Sequence, residues 1–153
     1  MFKKTISVLL SICLLMSIVP LSVHATNNTA DDEVIYLEDG GYIKISTKIS
    51  PARVANTVDG SKTYTGYSNS GQMLWKAVLR ATFAYSGAWY TCTTANCDVT
   101  IYSSHIYVIS NNTVRSSNNA VTNLTLGVQS SGITVTQENY TIRLTCDSNG
   151  NIS

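Results

Sequence analysis

The fold is decided by residues 73–85, which read Met73-Leu-Trp-Lys-Ala-Val-Leu-Arg-Ala-Thr-Phe-Ala-Tyr85. The odd positions are all apolar or aromatic, whereas the even positions include Lys76, Arg80 and Thr82. Successive side chains of a β-strand point to opposite faces, so this period of two predicts a strand with one buried and one wet face. A strand of this kind is typical of an antiparallel sheet.

Turn signals divide the chain from Lys62 onward into further short runs of β-forming residues. Clusters of Gly, Ser and Asn separate these runs, which are Lys62–Tyr67, Ala88–Thr91, Cys97–Tyr102, Ile106–Ser110, Val121–Val128 and Ile133–Cys146. No segment shows a sustained helical period. We therefore predict an all-β fold, an antiparallel β-sandwich of immunoglobulin-like architecture. A small β-barrel is the alternative.

The last of these runs changes its inward parity between Val135 and Tyr140. One extra residue in the strand would produce such a shift. We therefore predict a β-bulge near Gln137–Asn139.

The N-terminal part of the chain predicts a hairpin ahead of the sandwich. Glu33–Leu37 and Tyr42–Ile49 flank Asp39-Gly40-Gly41, a strong hairpin signal. Pro51–Gly60 resembles a linker. The predicted domain organisation is a signal peptide over 1–25, a polar segment with hairpin and linker over 26–60, and a β-sandwich over 61–153.

The signal peptide is predicted from the order of charge and hydrophobicity in the first residues. Lys3 and Lys4 precede an apolar run over Ile6–Val19, and Val23 and Ala25 place small residues before a cleavage site. The run is too short for a comfortable membrane span, and no second one follows. We therefore expect cleavage after Ala25 and secretion of the remaining chain into the extracellular space.

Composition argues against nucleic acid and anionic membranes as partners. Removing Lys3 and Lys4 from the ten basic residues leaves eight against nine acidic ones, a net charge of about −1. The sequence contains no run of Lys and Arg, so we expect no electrostatic binding to nucleic acid or to an anionic membrane.

Three cysteines remain after the signal peptide, and an exported chain permits a disulfide. Strand parity favours a pair between Cys92 and Cys146, with Cys97 a small buried residue. A bridge between Cys92 and Cys97 across a tight turn is the main competitor. We predict no metal site, because the spacing of Cys92 and Cys97 is unusual for zinc and His105 is the only histidine left.

Residues for catalysis are scarce. His105 is the only candidate base and lies in a Ser103-Ser104-His105 turn, where neither serine is placed as an activated nucleophile. A thiol pair of Cys97 with His105 requires an exposed Cys97, contrary to its strand parity. The sequence contains no phosphate loop or dinucleotide fingerprint. We therefore predict a protein that is not an enzyme and uses no cofactor.

Aromatic residues are the remaining candidates for binding. Trp75 has the parity of the core, whereas Trp89, Tyr90, Tyr64 and Tyr67 are candidates for exposure. An aromatic platform with Asn and Thr neighbours would suit sugar rings or a protein partner.

Several stretches also resemble a group of small exported proteins of Gram-positive, clostridia-like bacteria. They are Tyr-Leu-Glu-Asp-Gly-Gly-Tyr-Ile at 36–43, Lys-Thr-Tyr-Thr at 62–65, Asn-Ser-Gly-Gln-Met-Leu-Trp at 69–75, Ala-Thr-Phe-Ala-Tyr-Ser-Gly at 81–87, Thr-Ile-Tyr at 100–102 and Leu-Thr-Cys-Asp-Ser-Asn-Gly at 144–150. The resemblance implies export, a β-sandwich and pairing of Cys92 with Cys146. It implies no activity.

Taken together, the residues predict a secreted, non-catalytic β-sandwich that binds a surface glycan or a protein. The alternative is a secreted effector, such as a bacteriocin-like toxin or a protease inhibitor.

Overall fold

The computed structural model describes residues 29–51 and 56–153, so the predicted signal peptide lies outside the described residues. The described chain forms eight β-strands and no helix. They are β1 (Thr29–Tyr36), β2 (Tyr42–Pro51), β3 (Thr57–Tyr67), β4 (Met73–Tyr85), β5 (Tyr90–Ile101), β6 (Ile106–Ser116), β7 (Asn119–Ser130) and β8 (Ile133–Thr145).

The strands form two antiparallel sheets that pack face to face. The first has five strands in the order β1-β2-β3-β4-β5, and the second has three in the order β6-β7-β8. The predicted all-β sandwich is confirmed, and because the sheets do not close on each other the barrel alternative is wrong. Each sheet follows the order of the chain, so the connectivity is two meanders rather than the Greek key of immunoglobulin domains.

Strand β4 has the bounds and the buried face that its sequence predicts. The odd positions from Trp75 to Phe83 are buried, whereas Arg80 between them is exposed. Facing residues of the three-stranded sheet complete the core. They are Ala120, Thr122, Leu124, Leu126, Ile142, Leu144 and Cys146, all at most 1% exposed. The core is thus one apolar layer between two sheets, as the period of two requires.

Trp75 fills the end of this core and lies flat against a glycine. Its indole ring packs over Gly66, the partner of Trp75 on β3, and contacts the ring of Tyr140 at a centroid distance of 4.8 Å. Trp75 is only 3% exposed, so its predicted role as a core residue is confirmed. A large ring over a bare backbone restores the contacts that glycine lacks.

The N-terminal hairpin is continuous with the five-stranded sheet. Strand β2 pairs with β3 from Tyr42 against Tyr67 to Pro51 against Val58. The predicted boundary at residue 60 therefore falls inside β3, and the predicted linker contributes Thr57–Gly60 to that strand.

The irregularity of β8 lies elsewhere than predicted. Pairing with β7 is regular through Gln137–Asn139 and shifts at Val135, which has no partner between Thr134 and Thr136. The predicted bulge position is therefore wrong by two residues. The alternation of side chains revealed the shift but not the residue that absorbs it.

Candidate functional site

The outer face of the five-stranded sheet, meaning the side that points away from β6–β8, carries most of its polar side chains in cross-strand rows. Partners in neighbouring antiparallel strands lie side by side on one face. From one end to the other the rows are Tyr36, Tyr42 and Tyr67; Lys44, Thr65, Lys76 and Thr100; Ser46, Thr63, Val78 and Asp98; Lys48, Ser61, Arg80 and Asn96; and Ser50, Asp59, Thr82 and Thr94.

The first row, which we call the tyrosine row, brings three aromatic rings together. The rings of Tyr42 and Tyr67 stack with centroids 4.8 Å apart and planes 12° from parallel. The ring of Tyr36 tilts against Tyr42 at 6.2 Å, and Tyr36 is 79% exposed. Tyr42 and Tyr67 are partly buried, so the row presents one exposed ring on a stacked aromatic base, which marks a candidate binding site.

Two turns hold the tyrosine row in place. In the β1–β2 turn, Gly40 adopts φ 84°, the Leu37 N–H donates to the Gly41 carbonyl at 2.8 Å, and the Gly41 N–H donates to Asp39 Oδ1 at 2.9 Å. The left-handed backbone conformation at this position favours glycine. The turn that it permits places Tyr36 opposite Tyr42. The β3–β4 turn then places Gly71 beside the hydroxyl group of Tyr42.

A polar groove of about 440 Å³ crosses the far end of the outer face. Its floor is the backbone of three small cross-strand partners, Gly60, Ala81 and Ala95. The two polar rows on either side supply its walls. The side chains of Ala81 and Ala95 belong to the inner face, so the floor of the groove is backbone between two rows of outward side chains.

Charges on the groove walls are partly neutralised within the sheet. Arg80 forms an ion pair with Asp98, which also accepts from Asn96 Nδ2 at 2.9 Å. The Thr82 hydroxyl donates to Asp59 Oδ1 at 2.7 Å. Both members of the ion pair are more than half exposed, so the pair contributes little to stability and remains accessible to a ligand.

The four aromatic residues predicted from the sequence do not form one platform. Tyr67 belongs to the tyrosine row, but Tyr64 is on the inner face, opposite Ala77. Burial first, and then the charge of Glu33, raises the pKa of Tyr64. That residue is therefore half-enclosed rather than displayed.

Trp89 and Tyr90 are exposed, as predicted, but at the other end of the sheet. They belong to the β4–β5 turn and the start of β5, and are 53% and 41% exposed. Tyr67 pairs with Met73 at the start of β4, whereas Tyr90 lies at the other end of that strand, twelve residues further on. Twelve residues of a strand span about 40 Å. One small ligand cannot contact both groups.

Tyr36 and Tyr42 were not among the predicted binding residues. Each stands next to the predicted hairpin turn, one before and one after the Asp-Gly-Gly signal. A two-stranded hairpin closed at that turn pairs the two residues, so their contact could have been inferred from the sequence. Their contact with Tyr67 required the pairing of β2 with β3.

The predicted disulfide is not formed in this structure, where Cys92, Cys97 and Cys146 are free and buried. The Cys92 thiol donates to the Thr94 carbonyl at 3.2 Å, and the Cys146 thiol donates to the Asp147 carbonyl at 3.3 Å. Each thiol is thus satisfied on its own segment of backbone. Cys97 is 6% exposed, which confirms it as a small buried residue.

The β6–β7 turn nevertheless holds Cys92 and Cys146 near each other. The Cys92 N–H donates to the Ser117 carbonyl at 2.6 Å, and the Cys146 N–H donates to the next carbonyl, that of Asn118, at 3.0 Å. Burial raises the pKa of the Cys146 thiol, with smaller effects from Asp147 and Cys92. Pairing of the two thiols on oxidation therefore remains a prediction.

The candidate catalytic groups do not assemble into a site. His105 is exposed in the β5–β6 turn, where its N–H donates to Ser103 Oγ at 3.2 Å, while Cys97 lies between the sheets. Burial also raises the pKa of the Cys97 thiol, which keeps it protonated and unreactive. Within 29–51 and 56–153, no three His, Cys, Asp or Glu residues are grouped to hold a metal ion.

No protein-family model, curated protein or solved structure matches the chain. None of the described residues belongs to a helix with the length and hydropathy needed to cross a bilayer. The proposed function therefore rests on the fold and on the outer face of the five-stranded sheet.

Proposed function

We propose that this chain is an exported, non-catalytic glycan-binding protein whose ligand stacks on the tyrosine row. The observation that carries the proposal is the contact of Tyr36, Tyr42 and Tyr67 on one exposed face. The exposed ring of Tyr36 can pack against the C–H face of a sugar ring, while phenol hydroxyls of the row bond sugar hydroxyls.

The surroundings of the row favour a glycan over a protein. The cores of protein interfaces are depleted of charge and of small polar residues. Here the neighbouring positions on β2 and β3 are hydroxyl- and amine-bearing, among them Lys44, Ser46 and Thr63. Such residues supply many weak hydrogen bonds over a flat area, which suits a chain of sugar hydroxyls.

A binding role without chemistry is consistent with the positions of the reactive groups. His105 is exposed in the β5–β6 turn and Cys97 is buried in the core, so the two do not form a thiol pair. Export is proposed from the charged and apolar N-terminal residues. N-terminal sequencing of the protein secreted by a bacterial host should begin at Thr26, and recovery of an intact Met1 would contradict export.

The test is a binding screen of the purified protein against immobilised bacterial and host polysaccharides. Tyr36→Ala should weaken binding about tenfold, the loss expected from removing one well-stacked ring. Tyr36 is 79% exposed and contacts Tyr42, so this change should lower the free energy of unfolding by no more than about 1 kcal/mol. Trp89→Ala is the matched control, since it removes an exposed aromatic residue at the other end of the sheet.

Two results would overturn the proposal. The first is loss of glycan binding in Trp89→Ala with none in Tyr36→Ala. The second is a screen in which no polysaccharide binds while a protein ligand depends on Tyr36.

A further inference from the structure

The sheet register gathers positive charge that is dispersed in the sequence. After residue 25 the chain has four lysines, and three of them, Lys44, Lys48 and Lys76, lie on the outer face. Thr65 lies directly between Lys44 and Lys76 in one row. The sequence places these lysines on different strands or four residues apart, so no basic cluster is visible before the strands pair.

These lysines form no ion pair with another described side chain. Among the side chains that the structure describes, the one ion pair joins Arg80 to Asp98. Lys44 and Lys48 are exposed and Lys76 is half-buried. The acidic residues near this face are Asp59, which accepts from Thr82, Asp98, which is paired, and Asp32, which is exposed on β1 at the register shift beside Ser46.

The lysines also lie next to the tyrosine row. Lys44 is two residues from Tyr42 along β2, and the rise of a strand makes this distance about 7 Å. Lys76 is two strands away from Lys44, which is about 10 Å, and Lys48 is four residues away, about 13 Å. A sugar ring on the tyrosines therefore places its substituents within reach of Lys44.

We propose that the ligand of the outer face is an acidic polysaccharide with one carboxylate on a sugar ring, as in uronic-acid polymers. This inference rests on the proposed function. Sparse lysines about 10 Å apart match a chain with at most one charge for each sugar. Nucleic acid carries a charge about every 1.7 Å of duplex axis and is bound by much denser clusters of Lys and Arg.

The experiment measures affinities of the purified full chain for oligogalacturonate, oligoglucuronate and oligomannuronate by calorimetry. Each is compared with the same oligomer after its carboxylates are methyl-esterified, which keeps length and linkage and removes charge. The variants are Lys44→Gln and Lys76→Gln, singly and together. Arg143→Gln is the control, since it removes an exposed positive charge from the other sheet.

We expect at least one acidic oligomer to bind more tightly than its ester. Each lysine variant should weaken that binding roughly fivefold, as for a surface charge pair, and the double variant more. Raising the salt concentration should reduce the difference between the acid and its ester. Arg143→Gln should change neither affinity.

The outcomes separate this inference from the proposed function. If Tyr36→Ala weakens binding but the lysine variants and esterification do not, the ligand is a neutral glycan and only the acidic assignment is overturned. If none of the oligomers binds in either form and Tyr36→Ala affects no other glycan, both proposals are overturned. Equal binding of anionic vesicles or single-stranded DNA through the same lysines would also overturn the acidic-glycan assignment.

Discussion

Gly66→Ala should destabilise the protein because Trp75 occupies the space that a side chain would need. A Cβ atom at Gly66 would stand 2.2 Å from Trp75 Nε1 and 2.5 Å from Cε2, well inside van der Waals contact. The indole ring cannot move away freely, since it is 3% exposed and packed on the ring of Tyr140. Overpacking of a core site costs about 1–3 kcal/mol.

Removing glycine also stabilises by restricting the unfolded chain, by about 0.4–1 kcal/mol where no strain arises. The net loss expected for Gly66→Ala is therefore about 1–2 kcal/mol. Urea denaturation followed by far-UV circular dichroism measures it, with an unchanged m-value showing that only stability has shifted.

Gly60→Ala is the matched control. Its Cβ would meet Ile152 Cδ1 at 2.7 Å, but this atom is the far end of a flexible side chain that can rotate away. We expect its free energy of unfolding to stay within about 1 kcal/mol of the unaltered protein. In a Trp75→Phe background the smaller ring leaves room, so the cost of Gly66→Ala should shrink. Equal losses for the two glycines, or a full loss in the Trp75→Phe background, would refute the reasoning.

Further predictions use the same protein and simple assays. Phe83 is fully buried, so Phe83→Ala should lower the free energy of unfolding by about 3–5 kcal/mol, and a loss near zero would reject the assigned core face. Oxidation with glutathione disulfide should bridge Cys92 to Cys146, and a main bridge between Cys92 and Cys97 in non-reducing peptide maps would contradict this. Cys97 should react with a thiol reagent only as the protein unfolds, so rapid labelling of the folded protein would place it outside the core. Burial, with the adjacent Glu138 carboxylate, raises the pKa of Tyr140 above its ordinary value of 10.0, so its contribution to stability is complete below that pH and falls as the pH rises above it. Tyr140→Phe should flatten the alkaline decline in denaturation midpoint, and an unchanged decline would show that another group causes it.

The positions of the candidate binding residues show how much of the site can be inferred from the local sequence pattern. Tyr64 and Tyr67 are separated by three residues on one strand, and an odd separation places them on opposite faces. The parity that located the core of β4 therefore already argued against grouping these two tyrosines. The hairpin signal predicts that Tyr36 pairs with Tyr42. The predicted domain boundary at residue 60, however, separates that hairpin from the strand that contains Tyr67.

Sequence alone left sandwich and barrel open but determined the all-β class, the bounds and inner face of β4, and the burial of Cys97. These features follow from the alternation of side chains along one strand, which depends only on local backbone geometry. Tertiary structure alone decided that Tyr67 meets Tyr42, and that Lys44 and Lys76 share a row. Such neighbours come from different strands, and their alignment is set by turn geometry and by bulges such as the shift between Gly66 and Tyr67. Composition and periodicity contain no measure of that register, so a binding face assembled across strands emerges only when the sheet is formed.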